Sequence, residues 1–117
     1  MNNMKIYHNP RCRKSRESLQ IIQESKIDFH IIEYLKNPIS KSEIKILLKM
    51  LNISALDLIR KEEKIFKSRY KGKTLSEEDY INILYRYPIL MQRPIIVKDN
   101  RAVLGRPPIN ILDLLNN

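Results

Sequence analysis

The apolar residues change period twice along this chain, so the fold must combine a sheet with helices rather than build from either alone. Met4-Lys5-Ile6-Tyr7-His8 reads as a short first strand, closed by the turn pair Asn9-Pro10. Ser15, Leu19 and Ile22 follow at helical spacing. Phe29 to Tyr34 is rich in β-formers and predicts a second strand, ended near Asn37-Pro38.

The middle of the chain keeps a helical period. Ser40 with Glu43 three residues later has the form of a capping box, and Ile44, Leu47, Leu48 and Leu51 make the stripe of a buried helix face. Ser54 with Asp57 predicts a second helix carrying Leu56 and Ile59. Ser76 opens another, because Glu77, Glu78 and Asp79 suit the positive end of a helix dipole. Its stripe is Tyr80, Ile83, Leu84 and Tyr87, and Pro88 stops it.

Beyond Arg93-Pro94 the strand pattern returns. Ile95-Ile96-Val97 and Ala102-Val103-Leu104 flank the turn Asp99-Asn100 and predict a hairpin. Pro107 or Pro108 suits the first turn of a last helix, with Ile109, Leu112 and Leu115 at helical spacing. The order strand, helix, strand, several helices, hairpin, helix is α/β. Its first β-α-β unit is expected to be parallel and right-handed, and the hairpin makes the sheet mixed. There is no repeat, low-complexity tract or obvious linker.

A chain of 117 residues makes one domain and can bury a core without disulfides. No apolar run approaches the roughly 18 residues needed to cross a bilayer, and MNNMKIYHNP lacks a signal-peptide apolar region, so a soluble cytoplasmic protein is expected. The single cysteine excludes an internal disulfide and fits a reducing compartment; redox chemistry there must borrow a second thiol. The net charge of +9 favours anionic partners but says little about fold. Its densest stretch, Arg60 to Lys73, reads first as a solvated basic surface.

The segment YHNPRCRKSR places Cys12 just after a strand and at the mouth of a helix. A helix start offers backbone N–H groups and the positive dipole end, both of which favour a thiolate. Arg11, Arg13 and Lys14 add positive charge, Ser15 carries a hydroxyl able to donate to the sulfur, and His8 offers charge or a proton. Such settings lower a thiol from about 8.5 to between about 3.5 and 7.5. A buried, inert thiol is the commoner fate of a lone cysteine, but three cations beside it would be costly to bury. Arg60, Arg93 and Arg106 have the chemistry to hold a tetrahedral oxyanion by paired hydrogen bonds, although spacing alone does not bring them to Cys12.

YHNPRCRKSRESL, then LIRKEE, then YPILMQRPIIV and the closing GRPPINILDLL resemble the glutaredoxin-dependent arsenate reductase family, in order, from about Lys5 to Leu115. The resemblance implies a thioredoxin-like mixed β-sheet with a helical insertion, in one domain of residues 1–117. The core would be about 4–36 and 89–117, with the insertion about 37–88. It implies that Cys12 is the nucleophile, that Arg60, Arg93 and Arg106 bind the oxyanion, and that the bond before Pro94 is cis and faces the cysteine. His8, Asn9 and Ser15 are the candidate supports of the thiolate. Arsenate is the implied substrate, with glutathione as co-substrate and glutaredoxin as partner. No metal, bound cofactor, membrane or nucleic acid is expected, and the protein is expected to be a monomer. The chain departs from the pattern at Arg13-Lys14 and at Asn110, where an acidic residue is common.

Two rival readings share the thiol. The sister Spx-type regulators bind RNA polymerase, and many carry a second cysteine three residues after the first, where this chain has Ser15. A glutathione-dependent thiol oxidoreductase with another substrate is the second. Gly72-Lys73-Thr74 lacks the earlier glycine of a P-loop, since Lys67 stands there. His8, Cys12 and His30 lack a zinc spacing, and His30, within a strand, is expected to be structural.

Overall fold

The computed structural model describes residues 4–105 and 109–115. It contains two compact units, Met1–Asn37 with Arg93–Asn117, and Pro38–Gln92.

The first unit is built on a four-stranded sheet. Its strands are β1 (Met4–Tyr7), β2 (His30–Ile32), β3 (Ile95–Lys98) and β4 (Arg101–Leu104), in the spatial order β2-β1-β3-β4. β1 runs parallel to β2, with Ile6 opposite Ile31, and antiparallel to β3, with Ile6 opposite Ile96. β3 and β4 form the hairpin, turning through Asp99 at a φ of 57°. The sheet is mixed and the fold is thioredoxin-like. The two central strands are the most buried, as strands covered on both faces must be. On one face Met4, Ile6 and Ile96 pack with Ile22 of a helix, Arg13–Glu24 (α1), and with Ile111 and Leu114 of the last helix, Ile109–Leu115.

Two expectations are corrected here. β2 is three residues long, not the six of Phe29 to Tyr34. The amides of Lys36 and Asn37 both bond the Glu33 carbonyl, and this turn ends the strand before Tyr34, which stays buried. His30 is exposed on that edge strand. In the last helix the buried pair is Ile111 and Leu114; Leu112 is exposed. INILDLL supports either stripe equally, so only packing against the sheet could choose. Two polar bonds fix that choice: Asn110 Nδ2 donates to the Leu104 carbonyl at 3.1 Å, and Lys98 Nζ donates to the Leu115 carbonyl at 3.2 Å. An ionised carboxylate at position 110 could not make the first. The expected placement of Pro107 or Pro108 lies outside the described residues.

Gly105 ends β4 in a space with no room for a side chain. A Cβ there would meet Pro94 Cγ at 2.7 Å, Ser18 Oγ at 2.8 Å and Ile96 Cδ1 at 3.1 Å. Its amide bonds the Pro94 carbonyl, and its carbonyl accepts from buried Ser18. Gly105→Ala is therefore expected to cost about 1–3 kcal/mol through overpacking. Urea unfolding will read this; a change below about 0.5 kcal/mol would mean the pocket relaxes freely.

The second unit is helical. Its helices are α2 (Lys41–Leu51), α3 (Lys64–Arg69) and α4 (Glu77–Arg86), so the last helix of the chain is α5. Ser40 Oγ accepts from the Glu43 amide, and Ile44, Leu47 and Leu48 are buried. A full capping box, Ser76 with Asp79, starts α4, which buries Tyr80, Ile81, Ile83 and Leu84. The helix expected after Ser54 is only a 3-10 turn, Leu56–Leu58, although Ser54 does accept from the Asp57 amide. Its extension is pre-empted by strand-like pairing. Arg60 N–H bonds the Leu90 carbonyl at 2.6 Å, Gln92 N–H bonds the Leu58 carbonyl at 2.8 Å, and Ile59 bridges Met91. α3 buries only Phe66 of its six residues.

Candidate active site

β1 delivers His8 and Asn9 to the start of α1. The His8 amide continues the parallel ladder by bonding the Ile32 carbonyl at 2.8 Å. The chain then turns, with the Cys12 amide bonding the Asn9 carbonyl at 3.0 Å and the Arg11 amide bonding Asn9 Oδ1 at 3.0 Å. Cys12 is the N-cap of α1, extended at φ −92° and ψ 121° and partly exposed. Its carbonyl accepts the first helical bond, from Arg16 N–H at 3.0 Å, so the amides of Arg13, Lys14 and Ser15 precede the helical ladder.

Beneath the cysteine is a buried polar cluster. Ser15 is fully buried, and its Oγ lies 2.7 Å from His8 Nδ1 while accepting the Asn9 amide at 3.1 Å. His8 and Asn9 are themselves 5% and 3% exposed. The structure thus joins the three candidate supports into one hydrogen-bonded unit. The tautomer of His8 then decides the fate of Ser15's single hydroxyl hydrogen, which is spent on a bare Nδ1 but left for a thiolate when Nδ1 itself carries the hydrogen.

His8 is held below its ordinary value of 6.5, first by burial and then by Arg16, against an opposing pull from Glu33. It is therefore mainly neutral at pH 7, and the positive charge expected of it is withdrawn; hydrogen bonding remains. A proton NMR titration is expected to give a His8 midpoint below 6.5, and a value at or above 6.5 would mean that Glu33 outweighs burial. The sign for stability follows. As pH falls through 6.5 the unfolded chain takes up the proton first, so His8 withdraws stability between 6.5 and its lower folded midpoint.

The neighbouring cations are less directly engaged than their spacing suggests. Arg13 and Lys14 both pair with Glu17, at 3.3 and 3.8 Å, with side chains 84% and 53% exposed. Solvent screens such charges heavily, so the helix end is the stronger influence on Cys12. Arg16 donates to the Pro10 carbonyl at 3.0 Å and braces the turn.

Arg93 is largely buried, and its bond to Pro94 is cis. Arg60 belongs to the helical unit. Its Nε lies 3.4 Å from Glu63 Oε1 as an ion pair without hydrogen-bond geometry, and its buried Nη1 has no hydrogen-bond partner among the described residues. The Glu63 contact is Coulombic and leaves donor capacity on Arg60 unspent. Arg106 lies outside the described residues. Ser18 and Gly105, which lock α1 to the end of β4, were not evident from sequence, where a lone serine and a lone glycine carry no periodic signal.

A thioredoxin-like sheet with a cysteine capping its first helix defines a class of thiol protein. The chain belongs to the ArsC family, whose profile it matches over residues 7–114. It is 40% identical over 114 residues to the uncharacterized protein YfgD of Escherichia coli (strain K12), covering 96% of each chain. It is 33% identical over 113 residues to an arsenate reductase of Neisseria meningitidis serogroup B, covering 95% of this chain and 97% of that one. The solved arsenate reductase of Vibrio cholerae superposes with a TM-score of 0.90 at 34% identity, covering 95% of this chain and 96% of the other. Among the described residues no helix is long and apolar enough to cross a membrane.

Proposed function

We propose that this protein is an arsenate reductase that works with glutathione and glutaredoxin in the cytoplasm. The observation that carries this reading is Cys12 at the N-cap of α1 above the His8–Ser15–Asn9 cluster, in a chain of the ArsC family. Helix-start amides favour the thiolate form of such a cysteine. The thiolate attacks arsenic(V), an As–S bond forms, and an arsenate oxygen leaves as water. A glutathione thiol reacts with this adduct. The two electrons that convert arsenic(V) to arsenite come from paired thiols, which become a disulfide that glutaredoxin resolves.

Arg60, Arg93 and Arg106 are the proposed oxyanion ligands. Always-charged guanidinium groups suit arsenate geometry, and the unspent donors of Arg60 support its part. Ser15 in place of a second cysteine removes the redox switch of the Spx-type regulators, which favours the enzyme.

Arsenate is expected to drive NADPH oxidation when glutathione, glutaredoxin and glutathione reductase are supplied. Omission of glutathione or glutaredoxin should stop it. Absence of any arsenate-dependent rate would end the reductase reading.

A further inference from the structure

The basic stretch between Arg60 and Lys73 is more than a solvated surface. Within the helical unit it borders a cleft of about 330 Å³. Four lysines line this cleft, Lys61, Lys67, Lys71 and Lys73, and its aromatic side chains are Phe66, Tyr70 and Tyr80. Phe66 and Tyr80 are buried, and Phe66 and Tyr70 pack as a tilted pair with ring centres 6.0 Å apart.

The polar end of the floor is already engaged. Tyr80 Oη accepts from the Leu75 amide at 3.2 Å and donates to the Lys73 carbonyl at 3.5 Å. Its ring is left as an apolar wall. The rim is cationic: among the described residues none of the four cleft lysines pairs with a carboxylate. Gly72, at a φ of 81°, makes the turn between Lys71 and Lys73, and the Lys73 amide closes it on the Tyr70 carbonyl at 3.1 Å.

Unpaired ammonium groups around aromatic walls select a ligand with two parts. The apolar walls favour a flat ring, and the rim favours a negative charge attached to it. The volume lies at the lower end of the roughly 300–1,000 Å³ usual for small-molecule sites. We propose that this cleft binds a small aromatic anion, one or two fused rings bearing a phosphate, sulfonate or carboxylate. The site is built from residues separate from Cys12 and its supports, so it stands or falls independently of arsenate reduction.

Titration of the ¹⁵N-labelled full chain tests this, using naphthalene-2-sulfonate, the neutral naphthalene-2-methanol and inorganic sulfate as probes. The sulfonate is expected to give saturable shifts at the amides of Tyr70 to Leu75, with the alcohol and sulfate each at least tenfold weaker. Lys67→Gln with Lys71→Gln should weaken the sulfonate at least tenfold and leave binding of the alcohol unchanged. Both lysines are exposed, so the spectrum of the variant should otherwise match that of the parent. Arsenate-dependent NADPH oxidation should match too. Non-saturating shifts, equal binding of the alcohol or sulfate, an unweakened variant, or shifts centred on other residues would each overturn the proposal.

Discussion

Arsenate-dependent turnover is expected to fall by roughly 10³-fold or more in Cys12→Ser, while stability holds or improves. The two effects separate because the proposed nucleophile is also the N-cap of α1. In its proposed role as nucleophile it would supply a sulfur that bonds arsenic and shares in the thiol redox couple; a serine hydroxyl stays protonated near neutral pH and offers no such electrons. As N-cap it is a poor choice, since serine, threonine, aspartate and asparagine are preferred there. Its backbone is already extended, so serine fits the cap without rearrangement. A gain of up to about 1 kcal/mol is within the range of such caps. Calorimetry and the coupled NADPH assay on the same preparation decide the matter. Retained turnover would move the chemistry away from Cys12. Lost turnover with a large fall in stability would mean that the thiol packs the turn instead of reacting from it.

The parts of this fold that could be read in advance are those where several local signals coincide. α4 combines a capping serine, three acidic residues, a stripe and a closing proline, and it forms where those signals lie. The hairpin of β3 and β4 likewise has two apolar runs on either side of an Asp-Asn turn. Other elements depended on partners distant in sequence. Ile59 looked helical until Met91 offered it a bridge, and β2 stops early because the carbonyl of the next residue, Glu33, accepts from the turn amides of Lys36 and Asn37. At the candidate site, the position of Cys12 at the mouth of α1 was legible from the strand-to-helix setting. The competition for Ser15's hydroxyl was not, because the bond to His8 depends on how β1 enters α1.

That competition makes Ser15→Ala the most informative structural change. Ser15 is fully buried, and its oxygen serves both the Asn9 amide and His8 Nδ1. Alanine would leave two buried polar groups without this partner, at about 1–3 kcal/mol each. Alanine's better helix propensity returns about 0.5 kcal/mol, too little to compensate. The net loss is expected near 2–4 kcal/mol, read by urea unfolding; a loss under about 0.5 kcal/mol would show that the cluster contributes little to stability. The pH midpoint of Cys12 alkylation in the same variant locates the hydroxyl hydrogen. With a hydrogen on His8 Nδ1, that ring donates to Ser15, whose own hydrogen is released toward the thiolate, and its removal raises the midpoint. With the ring hydrogen on Nε2, Ser15 spends its hydrogen on His8, and the midpoint stays where it was. The stability loss is common to both states, so the thiol titration separates a serine that serves the nucleophile from one that only holds the histidine beneath it.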